Sequence, residues 1–188
     1  MGTFSNCADN LVLIGFMGAG KSTVGRELAR RTDHYFLDAD TLIETAQGRE
    51  IPEIFATRGE AHFRELERRS ARWLAECVRG SIISTGGGMP TVVDRLHEIG
   101  TVIYLKLPFE TIAQRLQGAE KERRPLFEDL CRARRLFEAR APLYERQADL
   151  IVDADRPVKE VVEEILAHLT LRGREDGNSP DPLPAPGS

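Results

Sequence analysis

The segment from Gly15 to Thr23 has the residue types and spacing of a phosphate-binding loop. It reads Gly-Phe-Met-Gly-Ala-Gly-Lys-Ser-Thr and matches the pattern G-x-x-x-x-G-K-[ST] at every position. Glycines let backbone N–H groups turn inward around phosphate oxygens, and the start of the following helix adds its positive dipole end. We expect Lys21 to reach the β- and γ-phosphates of a nucleoside triphosphate and the Ser22 hydroxyl to bind Mg²⁺.

The setting of this loop favours a ligand site over a plain turn. A buried run at residues 11–14 precedes it, and a helix through Val24, Leu28 and Ala29 follows it. A phosphate loop alone does not distinguish nucleotide hydrolysis, switching and phosphoryl transfer to an acceptor. The acceptor therefore has to be sought elsewhere in the chain.

Two acids, Asp38 and Asp40, follow the second apolar run, and strand ends are where ligands bind in open α/β sheets. One carboxylate could orient Mg²⁺ through water, and the other could accept the proton of a substrate hydroxyl. Asp40 is equally suited to cap the helix that follows, so both interpretations stay open. Asp153 also follows an apolar strand, but that strand comes late, and we interpret Asp153 as a turn residue.

A second group of residues could bind an anionic acceptor. Arg64 lies on a predicted helix, and Glu67, three residues on, shares its face. Arg64 is then either half of a clamp for an anion or a member of a surface ion pair. The consecutive glycines Gly86, Gly87 and Gly88 follow a buried strand, and they allow a ligand or another backbone to come very close.

The stretch from residue 117 to residue 130 is rich in charge and includes Arg123 and Arg124. Dense charge with little apolar content is typical of a surface loop. Beside a phosphate loop, such a segment could be a lid that brings an arginine to the transferring phosphate and excludes water. A plain solvated loop explains the composition equally well.

Short apolar runs alternate with longer helical stretches, which predicts a parallel sheet covered by helices on both faces. The runs span residues 11–14, 35–37, 81–84, 101–105 and 150–152. One helix is predicted to start at a capping box of Thr57 and Glu60, and the last helix follows Pro157. The buried face of the first of these is predicted to comprise Phe63, Leu66, Trp73, Leu74 and Cys77.

Length, charge and composition limit the classes of protein to which the chain could belong. The chain of 188 residues fits one domain, and we divide it into a short N-terminal extension at residues 1–9, a folded domain at 10–172 and a disordered tail at 173–188. The net charge of -4 does not suggest a nucleic-acid partner, and no apolar run is long enough for a membrane helix. Three widely spaced cysteines are typical of reduced thiols in the cytoplasm.

The motifs, and the order in which they occur along the chain, resemble those of the shikimate kinase family. The resemblance covers about residues 10 to 170. It rests on the phosphate loop and on residues 37–40, 54–56, 59–60, 63–64, 86–88, 124–126 and 140–144. It implies a three-layer α/β P-loop kinase fold with a five-stranded parallel sheet in order 2-3-1-4-5 and a mobile lid at about residues 117–130. It also implies a cytoplasmic, monomeric kinase that uses ATP and Mg²⁺ and phosphorylates the 3-hydroxyl of shikimate.

The resemblance further implies a role for each matching residue, and Lys21, Asp40 and Arg124 would be catalytic. Shikimate would contact Asp40, Arg64, Gly86, Gly87, Gly88 and Arg140, with the two arginines on its carboxylate and Asp40 on the reacting hydroxyl. ATP would contact Gly18, Ala19, Gly20, Lys21, Ser22, Thr23, Arg115, Arg124 and Arg156, the last three around the adenine and the lid. Ser22 would bind Mg²⁺, and Asp38 would lie in its outer shell.

Two alternatives differ in their use of the acceptor residues. A P-loop kinase for another small anionic metabolite, such as gluconate, would share the phosphate loop but not the joint pattern of Asp40, Arg64, three glycines and Arg140. A non-enzymatic nucleotide switch would leave Arg64 and Arg140 without a role. Release of ADP with different acceptors distinguishes the three.

Overall fold

Five short strands form one parallel sheet in the order β2-β3-β1-β4-β5. The computed structural model describes residues 9–32, 34–119 and 130–175. The strands are β1 (Leu11–Ile14), β2 (Tyr35–Asp38), β3 (Ser81–Ser84), β4 (Thr101–Lys106) and β5 (Leu150–Asp153). The predicted strand order is confirmed. All four residues of β1 and of β3 are buried, as expected of strands with helices on both faces.

Within the described ranges, six helices connect and cover the strands, as the alternating pattern predicts. They are α1 (Lys21–Thr32), α2 (Ala39–Gln47), α3 (Ile51–Cys77), α4 (Phe109–Ala119), α5 (Leu130–Gln147) and α6 (Val158–Glu175). Two short 3₁₀ turns, Met89–Thr91 and Leu96–Glu98, lie between β3 and β4. The first of them closes the loop that contains the three glycines, and α5 packs against it.

The predicted start of the third helix is wrong. Helix α3 begins at Ile51, and Thr57 lies inside it, where its hydroxyl donates to the Glu53 carbonyl at 2.7 Å. The chain breaks helical geometry at Gly59, whose φ of 79° lies where glycine is favoured. Trp73 is 46% exposed and Cys77 is exposed, so the predicted buried face is wrong at these two positions. Glu67 occupies a place on that face instead.

The ends of the folded part depart slightly from the predicted boundaries. Helix α6 continues to Glu175, three residues beyond the predicted domain end at residue 172. Residues 1–8, most of the predicted lid (120–129, with Arg124) and residues 176–188 lie outside the described residues. No helix within the described ranges is both long enough and apolar enough to span a membrane.

Asn10, just before β1, joins the amino ends of the central strands. Its Nδ2 donates to the carbonyls of Val78 at 2.8 Å and Ile99 at 2.9 Å, while its Oδ1 accepts from the Ser81 N–H at 3.0 Å. The residue is 2% exposed, so these bonds replace water for three buried backbone groups. This contact fixes β1 against the segments that enter β3 and β4, and thereby the strand that carries the phosphate loop.

Candidate active site

The phosphate loop lies between β1 and α1 at the centre of the sheet. Gly15, Gly18 and Gly20 have φ values of 147°, 79° and 89°, which residues with a Cβ rarely adopt. Lys21 is the first residue of α1 and is buried, and its Nζ donates to the carbonyls of Gly15 at 2.9 Å and Phe16 at 3.0 Å. The lysine therefore lies along the loop that it is predicted to serve, with its charge inside the ring of backbone groups.

Ser22 and Asp38 meet at the base of this loop. The Ser22 hydroxyl donates to Asp38 Oδ2 at 2.9 Å, and Asp38 is the last residue of β2. The other carboxylate oxygen, Oδ1, accepts from the N–H groups of Asp40 at 3.1 Å and Thr41 at 3.4 Å. Asp38 is thus the N-cap of α2, and the alternative in which Asp40 caps this helix is wrong. Asp40 is left to face the neighbouring cleft.

The glycine triplet is the junction between the two halves of the site. A Cβ on Gly86 would overlap Asp40 Oδ1, and a Cβ on Gly88 would overlap the guanidinium of Arg64. A Cβ on Gly87 would lie 3.3 Å from the Met17 nitrogen of the phosphate loop. Each glycine therefore admits a different close neighbour, which is the close approach that the triplet predicts. In this structure the neighbours are the protein's own site residues.

Arg64 lies between a buried carboxylate, Glu67, and an exposed one, Glu60, and is itself largely buried. Its side chain is 15% exposed and lies 2.7 Å from a carboxylate oxygen of both Glu60 and Glu67. The Glu67 side chain is 1% exposed, and burial raises the pKa of that carboxyl while Arg64 opposes the shift. Two carboxylates hold the guanidinium on two sides, which fixes its orientation toward the cleft.

Arg140 reaches the same glycines from α5. Its Nη1 donates to the Gly87 carbonyl at 3.2 Å, and the hydroxyl of Tyr144, one turn later, donates to the same oxygen at 2.6 Å. Arg64 and Arg140, which are 76 positions apart in the sequence, therefore flank one short glycine loop. Folding places these two arginines at the same loop, a proximity that their separation in the sequence does not reveal.

These residues line a cleft of about 590 Å³ beside the phosphate loop. Its charged lining comprises Asp40, Glu60, Arg64, Glu67, Arg132, Arg135 and Arg140, and its apolar lining includes Met17, Ile51, Phe55, Phe63, Leu136 and Ala139. The volume is that of a small-molecule site. Four arginines against three acids favour an anionic occupant, and the apolar wall suits a carbon ring or chain.

Of the two arginines predicted to lie near the nucleotide base, Arg115 lies beside the phosphate loop and Arg156 forms an ion pair instead. The Nη2 of Arg115 lies 3.3 Å from the Ala154 carbonyl, and a Cβ on Gly20 would be 3.9 Å from its Nη1, so Arg115 lies beside the phosphate loop. Arg156 follows in the same segment after β5, but its guanidinium pairs with Glu164. Asp153 accepts from the Asp155 N–H at 2.9 Å and is the turn residue that we predict.

Several residues of the site are not assigned to it by the sequence, among them Glu60, Arg135 and Tyr144. Glu60 is predicted to be part of a helix cap, although its spacing of four from Arg64 also favours the ion pair that forms. Arg135 also lines the cleft, but its spacing does not distinguish it from a surface charge. Tyr144 carries no such signal, because its contact with Gly87 crosses 57 positions of sequence.

Comparison with known proteins identifies the group to which this site belongs. The family model described as shikimate kinase matches residues 17–170. The chain is 42% identical over 158 residues to the shikimate kinase of Helicobacter hepaticus, covering 84% of this chain and 94% of the relative. The structure of shikimate kinase from Acinetobacter baumannii in complex with shikimate superposes with a TM-score of 0.79 at 33% identity, covering 88% of this chain and 94% of that one.

A gluconokinase from Sinorhizobium meliloti gives a useful contrast. It matches with a TM-score of 0.60 and 20% identity over 90% of this chain and 96% of that chain, a likeness that concerns the fold alone. The family match, in contrast, spans residues 17–170, a range that contains Lys21, Asp40, Arg64, the glycine triplet and Arg140, and the 42% identity extends over 84% of the chain. This protein belongs to the shikimate kinase family.

Proposed function

We propose that this protein transfers the γ-phosphoryl group of ATP to the 3-hydroxyl of shikimate. The observation that carries the proposal is the cleft in which Asp40, Arg64 and Arg140 surround one glycine loop that also contacts the phosphate loop. An acceptor with a carboxylate at one end and a hydroxyl at the other fits this arrangement. Its carboxylate binds between the two arginines, and its hydroxyl lies near Asp40.

Both arginines can form bidentate contacts, because a guanidinium presents paired N–H groups that match the two oxygens of a carboxylate. Glu60 and Glu67 hold Arg64 in place, and the Gly87 carbonyl holds Arg140. A site whose donors are already fixed loses little entropy when the acceptor binds. The arginines thereby orient the acceptor so that one of its hydroxyls faces the nucleotide.

In the transfer step, the acceptor oxygen attacks the γ-phosphorus as the bond from that phosphorus to the β–γ bridging oxygen breaks. The electron pair of the broken bond leaves with ADP. The hydroxyl proton passes to the Asp40 carboxylate, which is the role of a general base. Lys21 stabilises negative charge on the transferring group, and Arg124 has the same proposed role from outside the described residues.

The base of the phosphate loop fits a Mg²⁺ ion. The Ser22 hydroxyl and the Asp38 carboxylate supply adjacent oxygens, the donor type that Mg²⁺ prefers, and ATP phosphates and water complete such sites. We propose that Ser22 binds the ion directly and Asp38 through water. When bound, Mg²⁺ would neutralise charge on the β- and γ-phosphate oxygens.

The reaction is tested by measuring ADP release with shikimate, gluconate, adenosine monophosphate or no acceptor. Release that depends on shikimate, together with one new phosphate ester at the 3-oxygen in the ³¹P and ¹H NMR spectra, is the expected result. Turnover with gluconate but not shikimate would contradict the proposed acceptor. ADP release at the same rate without an acceptor would contradict phosphoryl transfer altogether.

The monomeric state, the cytoplasmic location and the absence of a nucleic-acid partner stay predictions. The family resemblance and the net charge of -4 support them. Light scattering at working concentration checks the first, and the two others follow from fractionation and from a binding assay with duplex DNA.

A further inference from the structure

The glycine loop is held from behind by one face of α5. Arg140, Tyr144 and Gln147 lie four and three positions apart, so they share a face of the helix. The first two donate to the Gly87 carbonyl, and the Gln147 Nε2 donates to the Pro90 carbonyl at 2.6 Å. Two carbonyls of the loop are therefore fixed by three side chains of a single helix.

Tyr144 differs from its two neighbours because it is fully buried. Its relative exposure is 0%, and its ring packs against Tyr104 with a centroid distance of 5.3 Å. Packing alone would be served equally well by phenylalanine. A buried hydroxyl costs stability unless it forms a hydrogen bond, and this one donates only into the site. Burial also raises the pKa of Tyr144 to about 12, with Arg140 opposing the shift, so the hydroxyl keeps its proton and stays a donor.

The hydrogen bonds to the Gly87 carbonyl also fix the orientation of the next peptide N–H group. A peptide group is planar, so a fixed Gly87 carbonyl also fixes the direction of the Gly88 N–H group. Gly88 lies against Arg64, and Gly87 accepts from Arg140. The peptide between these glycines is thus placed between the two arginines of the site, and Tyr144 supports it from the protein interior.

We propose that Tyr144 is a positioning residue of the acceptor half of the site. Through the Gly87 carbonyl, its hydroxyl holds the glycine loop and Arg140 in the geometry that the acceptor requires. The inference rests on the proposed function for the identity of the acceptor. It predicts a defect confined to acceptor binding, because the phosphate loop is held by separate contacts of Lys21 and Ser22.

The test compares Tyr144→Phe with Tyr104→Phe. Tyr104 is 1% exposed and neighbours Tyr144, but no hydrogen bond joins it to the glycine loop within the described residues, so it is a matched control for loss of a buried hydroxyl. Three quantities are measured: the Michaelis constant for shikimate, the Michaelis constant for ATP, and the hydrogen-exchange rates of amides in residues 86–93 of the ligand-free protein.

We expect Tyr144→Phe to raise the Michaelis constant for shikimate roughly 3- to 10-fold, as for loss of one hydrogen bond, with the ATP constant unchanged. Exchange in residues 86–93 should be faster, and Tyr104→Phe should match the wild type in all three measurements. The proposal is overturned if Tyr144→Phe matches Tyr104→Phe, if loop exchange rises without a change in the shikimate constant, or if both Michaelis constants rise equally.

The exchange measurement also separates this inference from the proposed function. If the wild-type protein failed to phosphorylate shikimate, the proposed acceptor would be wrong. Faster exchange in Tyr144→Phe would still support the hold on the glycine loop, and unchanged exchange would overturn it without reference to any substrate.

Discussion

Buried polar side chains lie at both ends of the central strands, but they are satisfied to different degrees. At the amino ends, the side-chain amide of Asn10 donates two hydrogen bonds and accepts one, all with backbone groups. At the carboxyl ends, Glu67 pairs with Arg64 through one oxygen, while its Oε1 is buried with no hydrogen-bond partner among the described residues.

The difference follows from what each end does. A buried group whose hydrogen bonds are complete stabilises the fold and cannot bind anything further. Groups that keep part of their hydrogen-bonding capacity are less stabilising, but they are available to a ligand. Substitutions at the amino ends should therefore lower stability, and substitutions at the carboxyl ends should lower activity. Four predictions test this separation, from the largest expected effect to the smallest.

Lys21→Ala should abolish most activity and leave the fold intact. The lysine places positive charge inside the phosphate loop, where negative charge develops during transfer. Loss of one such preorganised group typically costs on the order of 100- to 1000-fold in turnover. The rate of ADP release with saturating shikimate is the measurement, and Lys106→Ala, an exposed lysine at the end of β4, is the control. Near-normal turnover of Lys21→Ala would contradict the role of the loop.

Asn10→Ala should have the opposite profile. It removes the partners of the Val78 and Ile99 carbonyls and of the Ser81 N–H group. The free energy of unfolding should fall by roughly 3 kcal/mol, since each buried group left unpaired costs about 1–3 kcal/mol and some regain water. The melting temperature should fall by about 6–12 °C, with turnover at low temperature unchanged. A variant with wild-type stability and reduced turnover would contradict the structural role of Asn10.

The parallel sheet is predicted by the apolar pattern of its buried strands, whereas the strand order is implied only by the resemblance of the motifs to the family. The phosphate loop and Arg64 with Glu67 were accessible for a similar reason, since each is local in the chain. The start of α3 cannot be predicted in this way, because the residues before Gly59 are also helical. Gly59 interrupts the helical geometry but does not end the helix. Contacts between α5 and the glycine loop join residues far apart in the sequence, so the sequence does not assign a role to Tyr144.

Arg64→Lys should weaken use of shikimate about 30-fold, equivalent to about 2 kcal/mol, while the affinity for ATP stays the same. Lysine keeps the charge but cannot bind Glu60, Glu67 and a carboxylate in the fixed geometry of a guanidinium. The value of kcat/KM for shikimate and the dissociation constant for ATP are measured separately.

Arg68→Lys is the matched control, since Arg68 lies one turn further along α3, is exposed and, among the residues that the structure describes, pairs only with Glu65 at the surface. Equal kinetics for Arg64→Lys and Arg68→Lys would remove Arg64 from the acceptor site. A fall in melting temperature without a change in kcat/KM would place Arg64 with Asn10, among residues that serve stability alone.

The smallest effects are expected when a glycine is replaced by alanine at either end of the strands. Gly88→Ala lies beyond the carboxyl end of β3, and Gly100→Ala lies just before the amino end of β4. Neither glycine has a positive φ, so alanine is compatible with the backbone at both positions. The obstacles differ: the new Cβ at residue 88 would meet the guanidinium of Arg64, and at residue 100 it would meet the carbonyl of Asn10. A guanidinium at the end of a flexible side chain can move aside, whereas a main-chain carbonyl inside the sheet cannot.

Gly88→Ala should therefore lower kcat/KM for shikimate about 10-fold, or about 1.4 kcal/mol, through the displaced Arg64, with a small change in melting temperature. Gly100→Ala should lower the free energy of unfolding by about 1.5 kcal/mol, as for overpacking in a core, with kcat/KM unchanged in the folded protein. Kinetics and thermal unfolding of both variants check the pair. If Gly88→Ala lost stability and Gly100→Ala lost activity, the proposal that the amino ends of the strands serve stability and the carboxyl ends serve activity would be wrong.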